Sequence, residues 1–270
     1  MGYKVVSHTD NIGVIFSEQN ILSLEDYWTE ARLAQATPIH IELPNPSPIS
    51  SKDAFSGEFT GSANLASISK DPFQTGGKLF FTRNGEDRVA SAEFCESKNL
   101  LLTAAHCLQD METGEWSENI IFQRGYDSGS KKQKVSIKAS AVKVYWSETK
   151  QYCWDYGFAI TTTESSVEPL KGLCSISTGK ATSFGYPSNY YSGKRMVYYD
   201  LDIEESSTAI VRMSGNDMGS GCSGGAWVQY GTTNAISVNS FSYTSSPEDQ
   251  YGPMFTEDYS SLVTFAKTLI

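Results

Sequence analysis

Short runs of residues that favour β-strands, bounded by Gly, Asn, Asp and Ser, fill the chain from about residue 77 onwards. They include KLFFT (78–82), NIIFQ (119–123), KVSIK (134–138), VKVYW (142–146), GFAI (157–160), MVYYDLDI (196–203), AIVRM (209–213), AWVQY (226–230) and AISVNSF (235–241). Many short strands at regular spacing predict an all-β sandwich or barrel. Residues 259–270 repeat apolar side chains at helical spacing, which predicts a closing helix.

The first 75 residues lack this strand-like pattern and contain a proline-rich run, IELPNPSPISS, at 41–51. Within them, only residues 21–35, with Leu24, Trp28 and Leu33, predict a short amphipathic helix. We therefore divide the chain into a leader, residues 1–75, which we expect to be a pro-segment, and a folded domain, residues 76–270.

Composition narrows the function classes. Hydrophobic residues make up 39% of the 270 residues, and the formal net charge is −10. This charge and the lack of a basic cluster beyond Lys131-Lys132 predict no nucleic-acid partner. No apolar run approaches the roughly 18 residues of a membrane span. The N-terminus has no signal-peptide pattern, although removal of a signal and its replacement by an initiator Met stays open.

The cysteines and histidines give no metal-site pattern. There are five cysteines, an odd number that leaves at least one thiol free or shared with another chain. With no CxxC spacing and only three histidines, we expect no zinc site. Disulfide bonding outside the cytosol is the favoured interpretation.

One histidine follows an apolar strand. LLTAAHC (101–107) predicts a strand that runs into a turn and ends on His106. An imidazole at a rigid strand end suits a general base, which needs a fixed tautomer. A buried core histidine is the structural alternative. Because His8 and His40 lie in the leader, imidazole catalysis within the folded domain would have to use His106.

One carboxylate stands at the start of another apolar strand, in CWDYGFAI (153–160). An unpaired charge in a core is costly, so a buried Asp155 needs a partner, and the Nδ1–H of His106 would supply it. Asp155 would then hold the tautomer and stabilise the imidazolium. An aspartate in a surface turn is the alternative for this motif alone.

A glycine-rich loop, GSGCSGGAW (219–227), surrounds Ser223. Gly221 and Ser223 would present backbone N–H groups to a common point and form an oxyanion hole. Glycine is needed there because the backbone must turn with positive φ and come close to the substrate. A purely structural turn is the alternative.

Together, TAAHC, WDYGFAI and GCSGG resemble the base, carboxylate and nucleophile motifs of the chymotrypsin family, in that family's order. The resemblance is closest to the secreted bacterial and fungal branch that includes glutamyl endopeptidases. The segments similar to that branch are GKLFF, FGYPSNYYSGK (184–194), NDMGSGCSGGAW, VNSF (238–241) and, in the leader, the pro-segment phrase YWTEARLAQATP (27–38).

The resemblance implies an all-β fold of two six-stranded antiparallel β-barrels, with a triad of His106, Asp155 and Ser223 in the cleft between them. It also implies a disulfide between Cys95 and Cys107, and backbone pairing of Ser240 with substrate. We expect a secreted monomer that acts on protein or peptide substrates and binds protease inhibitors. Delivery of the protein as an effector stays open.

Two residues in the loop compete as nucleophile. Ser223 is favoured over Cys222 because, with Ser223 as nucleophile, glycines occupy the positions on both sides where the backbone must approach the substrate closely. Trypsin-like members have an aspartate immediately before the serine, which captures the new N-terminus after activation. Cys222 cannot form that ion pair, so this activation switch is in doubt. The spacing leaves open whether Cys222 is free or bonded to Cys153 or Cys174.

Asp217 lies six residues before Ser223, where trypsin-like members hold the carboxylate of the S1 pocket. It predicts cleavage after Arg or Lys, because a buried charge rejects substrates that leave it unpaired. Pairing of Asp217 with backbone or an N-terminus is the alternative. Glutamyl specificity is less favoured, since no histidine follows His106. If Arg/Lys specificity holds, Lys52 and Lys70 are candidate activation sites.

The sequence thus predicts a serine endopeptidase that works through an acyl-enzyme and requires no cofactor, with calcium left open. A pseudoprotease acting as a binding module would be expected to lose a triad member, and none is lost. An α/β-hydrolase esterase would need a strand–GxSxG–helix context and a histidine after the serine, and both are missing.

Overall fold

The computed structural model describes residues 4–9, 13–18, 24–44 and 62–270, so Lys52 lies outside the described residues. In chain order the strands are β1 (Lys4–Thr9), β2 (Gly13–Glu18), β3 (Thr37–Pro38), β4 (Glu42–Leu43), β5 (Asn64–Leu65), β6 (Gly76–Arg83), β7 (Glu86–Phe94), β8 (Leu100–Thr103), β9 (Glu118–Arg124), β10 (Gln133–Lys143), β11 (Gly157–Thr161), β12 (Lys171–Gly172), β13 (Gly179–Gly185), β14 (Val197–Ser207), β15 (Ile210–Ser214), β16 (Ala226–Gln229), β17 (Asn234–Val238), β18 (Phe241–Tyr243) and β19 (Ser246–Pro253).

Helices are short. They are α1 (Leu24–Tyr27), α2 (Glu30–Gln35), α3 (Ala105–Leu108), α4 (Val144–Thr149) and α5 (Glu257–Lys267), with 3-10 turns at Phe73–Thr75, Tyr152–Trp154 and Tyr191–Gly193. The predicted helix over 21–35 is interrupted: Thr29 is the N-cap of α2, and its side chain accepts from Arg32 N. A hydroxyl that satisfies a free helix N–H favours starting a new helix over continuing the old one.

The first sheet closes into a barrel. Its strands follow the order β10-β11-β8-β7-β6-β9, and β9 pairs back onto β10, all antiparallel. Every residue of β6 is buried. Leu79 and Phe81 point into the barrel core, while Phe80 packs outside it, as the twofold side-chain period of a strand requires.

The leader covers the outside of this barrel. Leu24 and Trp28 pack on Phe80, Val89 and Ile121. The indole of Trp28 donates to Asn119 O at 2.6 Å. The hairpin of β1 and β2 pairs with the second half of β10. The part of the leader that contains α1, β1 and β2 is therefore built into the first half of the molecule, whereas β4 and β5 pair with strands of the second sheet.

The second sheet contains six consecutive antiparallel strands in the order β17-β16-β13-β14-β15-β19. Its two ends meet through backbone bonds, Ser240 N to Tyr251 O at 3.0 Å and Phe255 N to Ile236 O at 3.4 Å. Val211, Met213 and Trp227 belong to its core. The predicted all-β fold class is confirmed.

The prediction of a strand over residues 142–146 is wrong beyond Lys143. β10 ends at Lys143, and α4 begins at Val144. The strand stops because its partners run out: Lys143 pairs with Gly13, the first residue of β2, and Val142 with Gly157, the first residue of β11. Without partners to continue the ladder, the backbone turns and buries Trp146 from a helix.

The closing helix is α5. Thr256 caps its N-terminus by accepting from Asp258 N. Tyr259, Leu262 and Ala266 are buried from it against the first barrel. The aromatic ring of Tyr259 stacks on Phe255, with centroids 3.9 Å apart. The helix thus packs on β10 and β11 of the first barrel.

Candidate active site

His106 sits on a single helical turn. Buried β8 leads through Ala104 into α3, and the side chain of His106 is 2% exposed. Arg83 donates to the backbone O of His106 at 2.7 Å. This contact fixes the turn from β6, two strands away from β8 in the sheet, so the ring has a rigid base.

Asp155 holds His106 at two points. Its Oδ2 lies 2.7 Å from His106 Nδ1, and its Oδ1 accepts from His106 N at 2.8 Å. Ser240 Oγ also donates to Oδ2. A carboxylate only accepts hydrogen bonds, so Nδ1 carries the proton and Nε2 is left as the basic nitrogen. Burial is the largest single influence and disfavours a charged ring, but attraction to Asp155, the hydrogen bond to Asp155 and the nearby Cys107 together outweigh it and raise the pKa of His106 above its ordinary 6.5.

The Ser223 loop is clamped against the first barrel. Ser91 N donates to Ser223 O at 2.9 Å. A Cβ on Gly224, whose φ is +82°, would lie 2.0 Å from Thr103 Oγ1. Gly221 has φ +100°. Only glycine fits these two positions, so the prediction that the loop needs glycine for positive φ and close approach agrees with the geometry.

The leader enters the same site. Ile39 O accepts from Gly221 N at 2.8 Å and from Ser223 Oγ at 3.3 Å. Within the described part of the chain, His106 Nε2 is buried and has no hydrogen-bond partner. The structure therefore brings Asp155 to His106 and Gly221 to Ser223, but the serine hydroxyl is bonded to the leader and not to His106.

A second histidine lies beside the first. The Nε2 of His40 is 2.9 Å from Ser242 Oγ. Burial, with the charge of nearby His106, lowers the pKa of His40 to about 4. Sequence reasoning set His40 aside as part of an irregular leader. The alternating IHIEL run (39–43) between two prolines was the signal of an extended segment.

Asp217 is held by two tyrosines. Tyr190 OH lies 2.8 and 3.0 Å from its two carboxylate oxygens, and Tyr199 OH donates to Oδ1 at 2.7 Å. The side chain is partly exposed. Each phenol has one proton to donate and a carboxylate has about four lone-pair sites, so roughly two are left for further partners. The tyrosines carry no sequence signal that links them to Asp217.

Cys222 faces away from the cleft. Its thiol is fully buried in the core of the second sheet, with Sγ 3.4 Å from Met218 O. Burial raises the pKa of this thiol. A thiol must ionise to act as a nucleophile, so this position does not favour the cysteine-nucleophile alternative.

The disulfide that the resemblance implied is absent from the structure: all five cysteines are free. Cys107 Sγ lies 3.8 Å from Ser223 O, the same oxygen to which Ser91 N donates. Cys95 is four residues beyond Ser91, about 13 Å at strand spacing, and its Sγ contacts Tyr259 OH at 3.5 Å. Because a disulfide needs Cα atoms about 4.4–6.8 Å apart, Cys95 is too far along the chain to reach Cys107.

A cleft of about 550 Å³ runs beside His106 and is lined on one side by residues 38–44 of the leader. Its other wall includes Arg83, Asp110 and Tyr152. Among the described residues, no group of three or more His, Cys, Asp or Glu side chains has metal-binding geometry. No helix of the described residues has the length and apolar character needed to cross a membrane.

No family model and no curated protein matches the chain, but solved structures do. The thermostable serine protease AL20 from an extremophilic microorganism is 24% identical over 73% of this chain and 98% of its own, with TM-score 0.66. Protease Anisep from Arthrobacter nicotinovorans is 26% identical over 72% and 95%, with TM-score 0.65. A Glu endopeptidase is 16% identical over 76% and 95%, with TM-score 0.65. The chain has the fold of the chymotrypsin-like serine proteases, which confirms the resemblance of its motifs at that level.

Proposed function

We propose that the protein is a serine endopeptidase that hydrolyses peptide bonds through an acyl-enzyme. The observation that carries the proposal is the contact of 2.7 Å between His106 Nδ1 and Asp155 Oδ2. It leaves Nε2 as a buried, unpartnered base among the described residues, beside the loop of Ser223. The three solved structures named above are described as proteases, which supports the same reaction class.

In this mechanism Ser223 Oγ attacks the scissile carbonyl carbon while its proton passes to His106 Nε2. The Gly221 and Ser223 amides stabilise the oxyanion. The C–N bond then breaks, and the amine leaves with the proton from Nε2. Water, deprotonated by the same nitrogen, hydrolyses the ester and restores Ser223. Asp155 stabilises the charged ring in both steps.

The substrate residue before the scissile bond is proposed to be Arg or Lys, read by Asp217. Its carboxylate is already bonded to Tyr190 and Tyr199, so a substrate cation would join an existing network. Asp217→Asn should then lose selectivity for Arg/Lys over neutral residues, by up to about 10⁴-fold. Cleavage after Glu or apolar residues by the wild type would contradict this assignment. Ser240 is proposed to pair its backbone with the same substrate.

The leader is proposed to be a pro-segment, with the protease domain beginning at about residue 76. Lys70, which is exposed before the first barrel strand, is a candidate cleavage point. We further propose a secreted monomer that acts on protein or peptide substrates and is sensitive to protease inhibitors.

The test is peptide-library cleavage read by mass spectrometry, with the mass of the chain followed in the same spectra. Once the leader has left the cleft, Ser223→Ala should reduce the rate by about 10⁶-fold. Cys222→Ser, the matched control, should retain most activity because that thiol lies in the core. Activity that survives in Ser223→Ala and disappears in Cys222→Ser would contradict the proposed nucleophile. A wild-type chain that binds peptides without cutting them, even after the leader is removed, would favour a pseudoprotease.

A further inference from the structure

Residues 37–43, called the strap below, cross the cleft from the first sheet to the second. β3 pairs in parallel with β7, and β4 pairs in parallel with β18. Ile39 N donates to Val89 O at 3.0 Å, and Ser242 N donates to Ile41 O at 3.1 Å. The strap is thus bound through its backbone, as an extended peptide binds a sheet edge.

The Ile39 carbonyl lies at the reacting centre in an unproductive arrangement. Its oxygen accepts from Gly221 N at 2.8 Å and from Ser223 Oγ at 3.3 Å. Attack requires the serine to give its proton to His106 Nε2 while its oxygen approaches the carbonyl carbon. Here the hydroxyl donates to the carbonyl oxygen itself. The strap occupies the donors without presenting its carbon for attack.

The direction of the strap explains why it resists cleavage. It runs parallel to β18, whereas β19, on the other side of β18, pairs antiparallel. A substrate that pairs antiparallel with the free edge of β18 runs the opposite way, so its leaving amide points towards β7. In the strap the nitrogen that follows the Ile39 carbonyl is that of His40. It lies towards β18, on the side opposite to the leaving nitrogen of a substrate.

Side chains anchor the strap in this orientation. Ile41 and Leu43 pack against the apolar cluster that contains Phe241 and Tyr251. His40 Nε2 lies 2.9 Å from Ser242 Oγ. On the other side of the cleft the strap continues from α2, and Trp28, which lies between α1 and α2, fixes this part of the leader to the barrel.

We propose that the strap is a built-in inhibitor that lies in the cleft in the direction opposite to a substrate, blocking Ser223 without being cut at the Ile39–His40 bond. The proposal rests on the proposed serine endopeptidase function and deepens it by naming its regulation. Activity then requires the strap to leave the cleft, through displacement or removal of the leader by an event elsewhere in the chain.

The test measures how fast a small fluorophosphonate labels Ser223 in the full chain. Ile41→Asp/Leu43→Asp places two carboxylates in the apolar cluster and should release the strap, which raises the labelling rate about tenfold or more. Ala31→Asp/Ala34→Asp adds the same charges to exposed positions of α2 and should label as slowly as the wild type. Circular dichroism and thermal unfolding confirm that each variant is folded.

The outcomes separate the inhibitor from the catalyst. Slow wild-type labelling that accelerates only in the strap variant supports the strap. Equally fast labelling of wild type and strap variant, absent in Ser223→Ala, overturns the inhibitor and leaves the endopeptidase standing. Failure of every folded chain to label, even in the strap variant, overturns the endopeptidase and the inhibitor with it.

A peptide experiment tests direction without destabilising the protein. The nonapeptide ATPIHIELP, residues 36–44, is added to the strap variant. It should slow labelling and remain intact after overnight incubation, whereas the same residues in reversed order should inhibit at least about tenfold more weakly. Cleavage of the nonapeptide between Ile39 and His40 would show that it binds as a substrate and would overturn the proposal.

Discussion

Two histidines lie in one cleft, and their partners shift their pKa values in opposite directions. Burial disfavours the charged form of both rings. His106 faces the carboxylate of Asp155, which raises its pKa, whereas His40 faces the hydroxyl of Ser242 and keeps a pKa lowered to about 4. The comparison shows that burial disfavours the charged form of an imidazole, and that the hydrogen-bond partner determines whether the pKa is nevertheless raised.

The largest effect should come from removing the charge that distinguishes the two histidines. Asp155→Asn keeps the size of the side chain but loses the carboxylate, so His106 loses both its fixed tautomer and the stabilisation of its charged form. We expect kcat/KM to fall by about 10⁴-fold, measured on a peptide substrate with the strap released. A loss below about tenfold in a correctly folded variant would mean that Asp155 does not orient the base.

Acid should loosen the strap. The pKa of His40 is lowered while the strap is bound, so binding is strongest above pH 6.5, where His40 is neutral in both states, and weakens as the pH falls towards 4. The charges acting on His40 are His106, which lowers its pKa, and Glu42, which raises it. Because one pKa unit is a factor of ten, the weakening reaches roughly 10²-fold. Hydrogen exchange of residues 37–43, corrected for intrinsic rates, measures it.

A matched variant isolates His40 from the other acid-sensitive groups. His40→Gln keeps a polar side chain without a titration near neutral pH. Its strap should therefore exchange at a rate that changes little between pH 7 and pH 4. If His40→Gln loosens in acid as much as the wild type, another group controls the strap.

The acid limb of activity should lie above pH 6.5, because the base must be neutral and Asp155 raises the pKa of His106. In Asp155→Asn the residual activity should have its acid limb at lower pH, by about one unit or more. The profile of kcat/KM against pH, taken with the strap released, measures both limbs. Identical limbs in the two proteins would show that Asp155 does not set the pKa of His106.

The smallest effect should come from the hydroxyl that faces His40. Ser242→Ala removes one hydrogen bond to the strap while leaving the backbone bond from Ser242 N to Ile41 O. A typical bond of this kind contributes about 1 kcal/mol, so labelling of Ser223 should rise about fivefold. Ser246→Ala, at a partly exposed position of β19, is the control and should leave labelling unchanged.

Local motifs predicted the part of the site that depends on contiguous residues. An apolar strand running into His106, a carboxylate before β11 and glycines around Ser223 were each readable from spacing. The structure brings these three segments together, since Asp155 contacts His106 and the neighbouring Cys107 contacts Ser223 O. The glycine requirement was predictable because only glycine tolerates such a close approach of the backbone, and glycine is visible in the sequence.

The rest depended on contacts between distant segments. Nothing local links Tyr190 and Tyr199 to Asp217, or the strap to β18. Residues 142–146 have a strand-like composition, yet from Val144 onwards they form a helix because the neighbouring strands end there. The Cys95–Cys107 pairing was wrong because counting cysteines does not show how far along a strand each one lies.

The hairpin of β1 and β2 protects a strand edge, so removal of the leader should affect the solubility of the protein. It covers residues 139–143 on one side of β10, pairing them antiparallel with β2. Loss of the leader would remove those partners and open a short edge that includes Ala139, Ala141 and Val142. Uncovered edges recruit other strands, so the trimmed protein should become more prone to self-association at high concentration, and a pH or salt suited to the full-length chain need not suit its product.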